Sequence, residues 1–395
     1  MRILAIDDQQ LVLLPLEKKF QQLGHEIITS KDPFEGVKMI ASFDPDLIII
    51  DLNMPETSGI ELIRQIKDNF KHQIPIIVLS GITDDNSIAV CYELGISDYI
   101  KKPSSINEIA LRIEKIMGGH KKIKLKDQRE DILVQERCVG VVIPCYNEEG
   151  RLLSKNFLNF IKKNTGYHLC FVNDGSNDNT LQTLKDLQKG REDHITVYDL
   201  QKNLGKAEAV RSGMLHLAQR DDLDYIGFLD ADLSTDLMDF DELVTTMKKS
   251  KFKVVSGSRI SRMGAYITKE SARKVISLTI NFIIQRILRM NFKDTQCGAK
   301  IFHKDIINIA FRDRFITKWI FDIEIFKRIS LYYGLEKTKD ILYEKPLNRW
   351  IHADGSKLSM KDSMHIIFQL MKVAWIYRTS SPRTTSYKFK QLKTA

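Results

Sequence analysis

Short apolar runs punctuate the first part of the chain, and each ends on polar chemistry. RILAI leads into Asp7 and Asp8, DLIII into Asp51, IPIIVL into Ser80, and SDYI into Lys101, Lys102 and Pro103. Amphipathic stretches separate these runs, as expected of alternating βα units. Parallel strands bring their carboxyl ends to one edge, where ligands bind. The pattern therefore predicts one crevice holding Asp7, Asp8, Asp51, Ser80 and Lys102. Residues 119–137 (GHKKIKLKDQREDILVQER) are charged with little periodicity and read as a linker, partly helical at its end. Alternation resumes with CVGVVIP at Cys138 and runs to about residue 258. Two apolar-rich helical stretches follow, 271–290 and 362–378. The tail 379–395 is basic, contains Ser, Thr and Pro, and reads as disordered.

A length of 395 residues implies more than one domain. Hydrophobic residues at 43 % and charged residues at 28 % are ordinary globular material. The net charge of +9 hides an asymmetry: residues 1–118 carry −6 and the remainder +15. A basic region behind an acidic domain suggests DNA binding. No segment after residue 118 reads as a helix-turn-helix or winged helix, so no nucleic-acid partner is expected. Nucleotide-sugar phosphates and anionic membrane surfaces suit the same charge. The five cysteines lack C-x-x-C spacing and read as reduced thiols, and the scattered histidines suggest no zinc site. No secretory leader is expected, and no run reaches the ~18 apolar residues that span a bilayer. The expected location is cytoplasmic, peripheral to the inner membrane face.

Clustered carboxylates repel one another and favour a hard divalent cation such as Mg²⁺. A cation and a lysine beside Asp51 would let that carboxylate accept a phosphoryl group. This constellation resembles the receiver domain of bacterial response regulators over residues 1–118, with its flavodoxin-like (βα)5 fold. The resemblance implies Asp51 as phosphoacceptor. It assigns Mg²⁺ to Asp7, Asp8 and Asp51, with the Asn53 backbone helping. Ser80 and Lys102 would meet the phosphoryl oxygens, and Tyr99 would take the switch position. Gly81 matches the small residue of that family and Pro103 its cis-proline. A histidine kinase or phosphotransfer protein is the implied partner.

The later strands also end on polar motifs: VVIPCYNEEGRL, FVNDGSNDNT, NLGKAEAVRSGM before a helix, and FLDADLST. An Asp-x-Asp at a strand end can chelate a cation bridging a diphosphate. Alone it is a weak signal, but the other three motifs precede it in order. The region 138–378 resembles a family 2 glycosyltransferase of GT-A (Rossmann-like) fold, and more narrowly the dolichyl- and polyprenyl-phosphate glycosyltransferases. The narrower markers are GSR (257–259), DTQCGAKIF (294–302), WIFDIEI (319–325) and WIHADGSKL (350–358). Most of that subgroup has a bulky aromatic where this chain has Ala299.

The resemblance implies that Pro144, Tyr146, Asn147 and Glu148 line the nucleotide and that Asp174 reaches the base. Lys206 and Arg211 would lie near the nucleotide-sugar, a UDP- or GDP-hexose. Asp230 and Asp232 would hold Mg²⁺ or Mn²⁺ on its diphosphate. Arg259 and Arg273 would meet an acceptor phosphate. Asp294 is the acid placed nearest the anomeric carbon, with Asp322 and Glu324 as alternatives. Helical spacing would equally pair Asp322 and Glu324 with Lys318 and Lys327.

The expected reaction moves glucose or mannose to a polyprenyl phosphate with inversion, under control of Asp51 phosphorylation. A lipid phosphate is already ionised at pH 7 and needs positioning more than a base. A sugar-hydroxyl acceptor, the alternative in polysaccharide assembly, needs a carboxylate to take its proton. A third reading is a signalling adaptor that binds a nucleotide sugar without transfer. A membrane surface is the further expected partner, and a homodimer is compatible with the sequence.

Overall fold

The computed structural model describes residues 1–55, 57–70, 74–118, 133–134, 138–259, 271–347 and 360–378. The side chains of Leu133, 271–279, 360–365 and Arg378 lie outside that description. Contacts group the chain into two compact units. The first is Met1–Cys138 with Leu158–Tyr167 and Asp221–Leu223, and the second comprises Val139–Phe157, His168–Arg220 and the chain from Asp224 onward.

In the first unit, strands β1 (Arg2–Ile6), β2 (Glu26–Ser30), β3 (Leu47–Ile50), β4 (Ile76–Ser80) and β5 (Asp98–Lys101) alternate with helices α1 (Gln10–Gln22), α2 (Pro33–Phe43), α3 (Gly59–Asn69), α4 (Asp85–Glu93) and α5 (Ile106–Ile116). The strands form a parallel sheet in the order β2-β1-β3-β4-β5. Strand β3 reads LIII and strand β4 IIVLS, and every residue in both is buried, so helices cover both faces. Helix starts are written locally. Asp32 accepts from the amides of Phe34 and Glu35 ahead of Pro33, Ser58 caps α3, and Asp84 caps α4. The sheet order reverses between β1 and β3, the point where this topology places its ligand. Asp7 and Asp51 sit there.

Ser104–Ser105 (β6) pairs antiparallel with Leu133–Val134 (β7). The helical end expected for the linker is therefore a strand at these residues. The rest of 119–137 lies outside the described residues, as do the tail 379–395 and the 350–358 motif.

The second unit holds β8 (Val139–Cys145), β9 (Tyr167–Asn173), β10 (Ile195–Asp199), β11 (Tyr225–Leu229), β12 (Val254–Ser258), β13 (Ala299–His303) and β14 (Leu342–Pro346). Helix α6 (Ser154–Lys163) is divided between the two units at Phe157, and the helices of the second unit are α7 (Thr180–Gln188), α8 (Lys206–Leu217), α9 (Leu237–Lys248), α10 (Ser271–Leu288), α11 (Ile307–Phe311), α12 (Phe321–Tyr333), α13 (Leu335–Ile341) and α14 (Met360–Arg378). Strand order is β10-β9-β8-β11-β13-β12-β14. Strand β13 runs antiparallel to both its neighbours, β11 and β12. Its leading end therefore reaches the edge where β11 and β12 finish. That inversion delivers the DTQCG loop to the same edge as DAD and GSR. Helix α8 lies close against the sheet: a Cβ on Gly213 would stand 2.5 Å from Val142 and 2.8 Å from Val172.

Candidate functional site

At the first sheet edge, the Asp7, Asp8 and Asp51 carboxylates offer oxygens within 4.8 Å of one another. Such a set of hard oxygen donors fits a hard divalent cation. Lys102 Nζ bridges Asp7 Oδ2 at 2.6 Å and Asp51 Oδ2 at 3.1 Å, all three side chains being buried. Burial raises the Asp7 carboxyl to about 6, against the opposing pull of Lys102. Burial would lower the Lys102 ammonium, but Asp7 and Asp51 outweigh it and hold the lysine charged. The amides of Leu52 and Asn53 donate to Asp51 Oδ1 at 2.7 and 3.3 Å. Ser80 is fully buried at the end of β4. Tyr99 points inward, its hydroxyl donating to the Ile82 carbonyl at 2.8 Å, and burial raises its phenol to about 12. The Lys102–Pro103 peptide is cis.

At the second edge, loops after β8 and β9 interlock. The Asn147 amide donates to Ser176 Oγ, the Glu148 amide to Thr180 Oγ1 at 2.7 Å, and the Asn177 amide to Asn147 Oδ1. Asn147 takes φ 52°, a left-handed conformation that asparagine tolerates. Tyr146, next after β8, is 40 % exposed. Burial raises the Glu148 carboxyl; Arg151 opposes this and Asp232 adds to it, which places Glu148 and Asp232 in one field. Lys206 begins α8 and meets Asp230 Oδ1 at 2.5 Å. Burial opposes its charge, but Asp230, Asp322 and Asp232 together keep it protonated. Asp232 is exposed and accepts from the Ser234 amide at 2.9 Å. Two hard carboxylates at this edge fit a divalent cation on a diphosphate.

The remaining predicted residues fall into pairs. Arg259 grips Asp294 bidentately, Nε to Oδ2 at 2.7 Å and Nη2 to Oδ1 at 2.8 Å, with its amide adding a third bond. Burial would raise the Asp294 carboxyl, but Arg259 outweighs it and holds it below the usual carboxylate range. The Asp294 amide donates to Glu344 Oε1 at 2.6 Å. Asp322 meets buried Lys300 at 2.8 Å rather than Lys318, and burial still raises its carboxyl. Lys300 Nζ also donates to the Cys297 carbonyl at 2.6 Å.

Several expectations are corrected. Glu324 is wholly buried, and its oxygens accept from the Ile316 and Thr317 amides, Thr317 Oγ1 and Tyr377 Oη. A carboxylate so saturated braces the 316–317 loop and has no access to a substrate. It does not pair with Lys327, which donates to the Ile287 carbonyl. Arg211 turns its guanidinium to Glu208 and to the Phe311 and Arg312 carbonyls, which removes it from the donor edge. Asp174 accepts from the Leu204 and Gly205 amides at 2.7 and 2.9 Å, so its carboxylate ties β9 to the entry of α8. Pro144 lies half-buried at the end of β8. The Arg273 side chain lies outside the described residues.

Lys300, Glu344 and Gly298 escaped the sequence reading. The available signal was a lysine inside the apolar strand AKIF, where charge requires a buried partner.

The comparisons with known proteins agree with this two-part architecture. The family model for glycosyl transferase family 2 matches residues 140–309, and that for the response regulator receiver domain matches residues 3–114. The dolichyl-phosphate beta-glucosyltransferase of Saccharomyces cerevisiae is 30 % identical over 274 residues, covering 64 % of this chain and 78 % of its own. That of Drosophila melanogaster is 31 % identical over 236 residues, covering 56 % and 69 %. The transcriptional regulatory protein PhoP of Bacillus subtilis is 31 % identical over 116 residues, 29 % of this chain and 48 % of its own.

Proposed function

The chain belongs to glycosyl transferase family 2, with a response-regulator receiver domain ahead of the transferase, and we propose from this that it moves a hexose from a nucleotide sugar to a polyprenyl phosphate under phosphorelay control. The observation that carries the reading is the common edge of Asp230, Asp232, Lys206 and the Arg259–Asp294 pair. Names of the relatives support glucose and a lipid-phosphate acceptor. Mannose, from a GDP donor, is the second sugar to test.

In this reading Asn147, Glu148 and Tyr146 seat the nucleotide. Mg²⁺ or Mn²⁺ held by Asp230 and Asp232 would neutralise the diphosphate. Lys206 adds a fixed positive charge beside Asp230 that costs no reorganisation during reaction. Arg259 is the cation for the acceptor phosphate, and Asp294 is the nearby acid. Asp322, paired with Lys300, serves as a positioning group. Asp51 accepts the phosphoryl group from a histidine kinase or phosphotransfer protein, beside Mg²⁺ held by Asp7 and Asp8. Such an acceptor brings the enzyme to the cytoplasmic face of a membrane.

The test is transfer of radiolabelled hexose from UDP-glucose or GDP-mannose to a short-chain polyprenyl phosphate in detergent. It is run with each metal, and with and without acetyl phosphate. Wild-type protein is expected to label the lipid only with metal present, and Asp232→Ala to lose most transfer and weaken donor binding in calorimetry. Asp51→Asn should abolish the phosphoryl mass adduct and any response to acetyl phosphate. Full transfer by Asp232→Ala without metal, or labelling of a glycan hydroxyl in place of the lipid, would overturn the assignment.

A further inference from the structure

Helix α14 is apolar beyond the face that it buries. Leu370, Val373 and Tyr377 are at most 2 % exposed, packed into the second unit. Phe368, Met371 and Trp375 are 67 %, 64 % and 73 % exposed. Their spacing, i, i+3 and i+7, sets them on one outward stripe. An ordinary surface helix carries charge there. Lys372, also exposed, stands beside the stripe. Helix α10 packs against α14 and repeats the pattern. Its Phe282 is 68 % exposed, and Arg286, one turn on, is exposed with Arg289.

Three large apolar side chains on one exposed stripe mark an interaction surface. The cations beside them select its partner. A second copy docked face to face would bring Lys372, Arg286 and Arg289 toward their own counterparts, a like-charge arrangement. An anionic bilayer offers an apolar boundary for the stripe and phosphates for the cations. Tryptophan suits that boundary, being apolar in body with one polar N–H. The net charge of +15 on residues 119–395 adds attraction at longer range.

We propose that the outer faces of α14 and α10 dock this protein on an anionic membrane surface. Phe368, Met371, Trp375 and Phe282 enter the acyl boundary, and Lys372, Arg286 and Arg289 lie among the headgroups. No helix among the described residues is long and apolar enough to cross a membrane, so the attachment lies in the plane of the surface. The inference deepens the lipid-phosphate reading, because it names the surface that brings the transferase to its acceptor.

The experiment uses the full chain and vesicles of phosphatidylcholine, alone or mixed with phosphatidylglycerol. Wild-type protein should sediment with the mixed vesicles, less so at high salt and little with phosphatidylcholine alone. F368S/M371S/W375S should lower the partition coefficient at least about tenfold, with an unchanged melting profile by circular dichroism. In W319F/W350F the sole tryptophan is Trp375, and its emission should shift to the blue on mixed vesicles. Unchanged vesicle binding by the triple variant would overturn the proposal. So would a wild-type dimer that the triple variant dissolves while vesicles are ignored. Transfer to the detergent-solubilised acceptor is measured separately. If the triple variant loses vesicles while wild type labels no lipid, the docking surface stands and the acceptor assignment falls.

Discussion

Gly298→Ala is expected to lower kcat/KM for transfer by about a hundredfold, although the change is one methyl group. A Cβ at this position would stand 2.0 Å from Asp230 Oδ2 and 2.4 Å from its carboxyl carbon. No real Cβ tolerates that approach, so either Asp230 or the 294–298 loop must move. Asp230 has little freedom, because it directly follows buried strand β11 and is held by Lys206 at 2.5 Å. A misplacement of about 1 Å in a positioned group is worth on the order of 10²-fold in rate. Gly150→Ala is the control, since its Cβ would meet nothing within 4 Å. Steady-state kinetics on both variants decide the matter: wild-type turnover by a folded Gly298→Ala enzyme would remove Asp230 from the reacting geometry.

Lys300→Met should strongly destabilise the transferase. Lys300 has 0 % exposure and bonds Asp322 at 2.8 Å and the Cys297 carbonyl at 2.6 Å. Its ammonium also lies 5.4 Å from the Phe228 ring centroid. Removing it takes the direct partner from buried Asp322 and leaves that carboxylate the field of Lys206, and breaking such a buried pair costs about 3–5 kcal/mol. That is a large share of the ~5–15 kcal/mol that holds a typical domain together. In a domain of this size the melting temperature should fall by roughly 10 °C. The double variant Lys300→Met/Asp322→Leu should recover much of the loss, since replacing both members of a buried pair is often neutral. Differential scanning calorimetry of the three proteins tests this. Equal melting of the single variant and wild type would mean that the pair is not buried in solution.

The acidic strand ends were legible because each βα unit announces its own edge. Asp7, Asp51, Ser80 and Lys102 each close an apolar run, and parallel topology does the rest. Asp230 and Asp232 were legible for the same reason. Glu324 was not. Helical spacing shows its neighbours on α12 but is blind to the Ile316 and Thr317 amides that fold back on it, and to Tyr377 from α14. Arg211 fails similarly, since its partners Phe311 and Arg312 lie about a hundred residues on. The Lys300–Asp322 pair depends on an antiparallel strand inserted among parallel ones, and no local pattern encodes that inversion. Leu133–Val134 became a strand rather than a helix because Ser104–Ser105 offered it backbone partners.

The Arg259 fork has a consequence for any anion that approaches it. Both of its parallel donors already face Asp294, and the backbone amide joins them. A phosphate arriving on that edge of the guanidinium cannot simply add to it. It must enter by exchange, with one oxyanion leaving the guanidinium as another arrives. The enthalpy of the new pair is then largely offset by that of the old, and affinity at this spot comes from the rest of the ligand. The carboxylate that is released inherits the freedom that the incoming phosphate gives up.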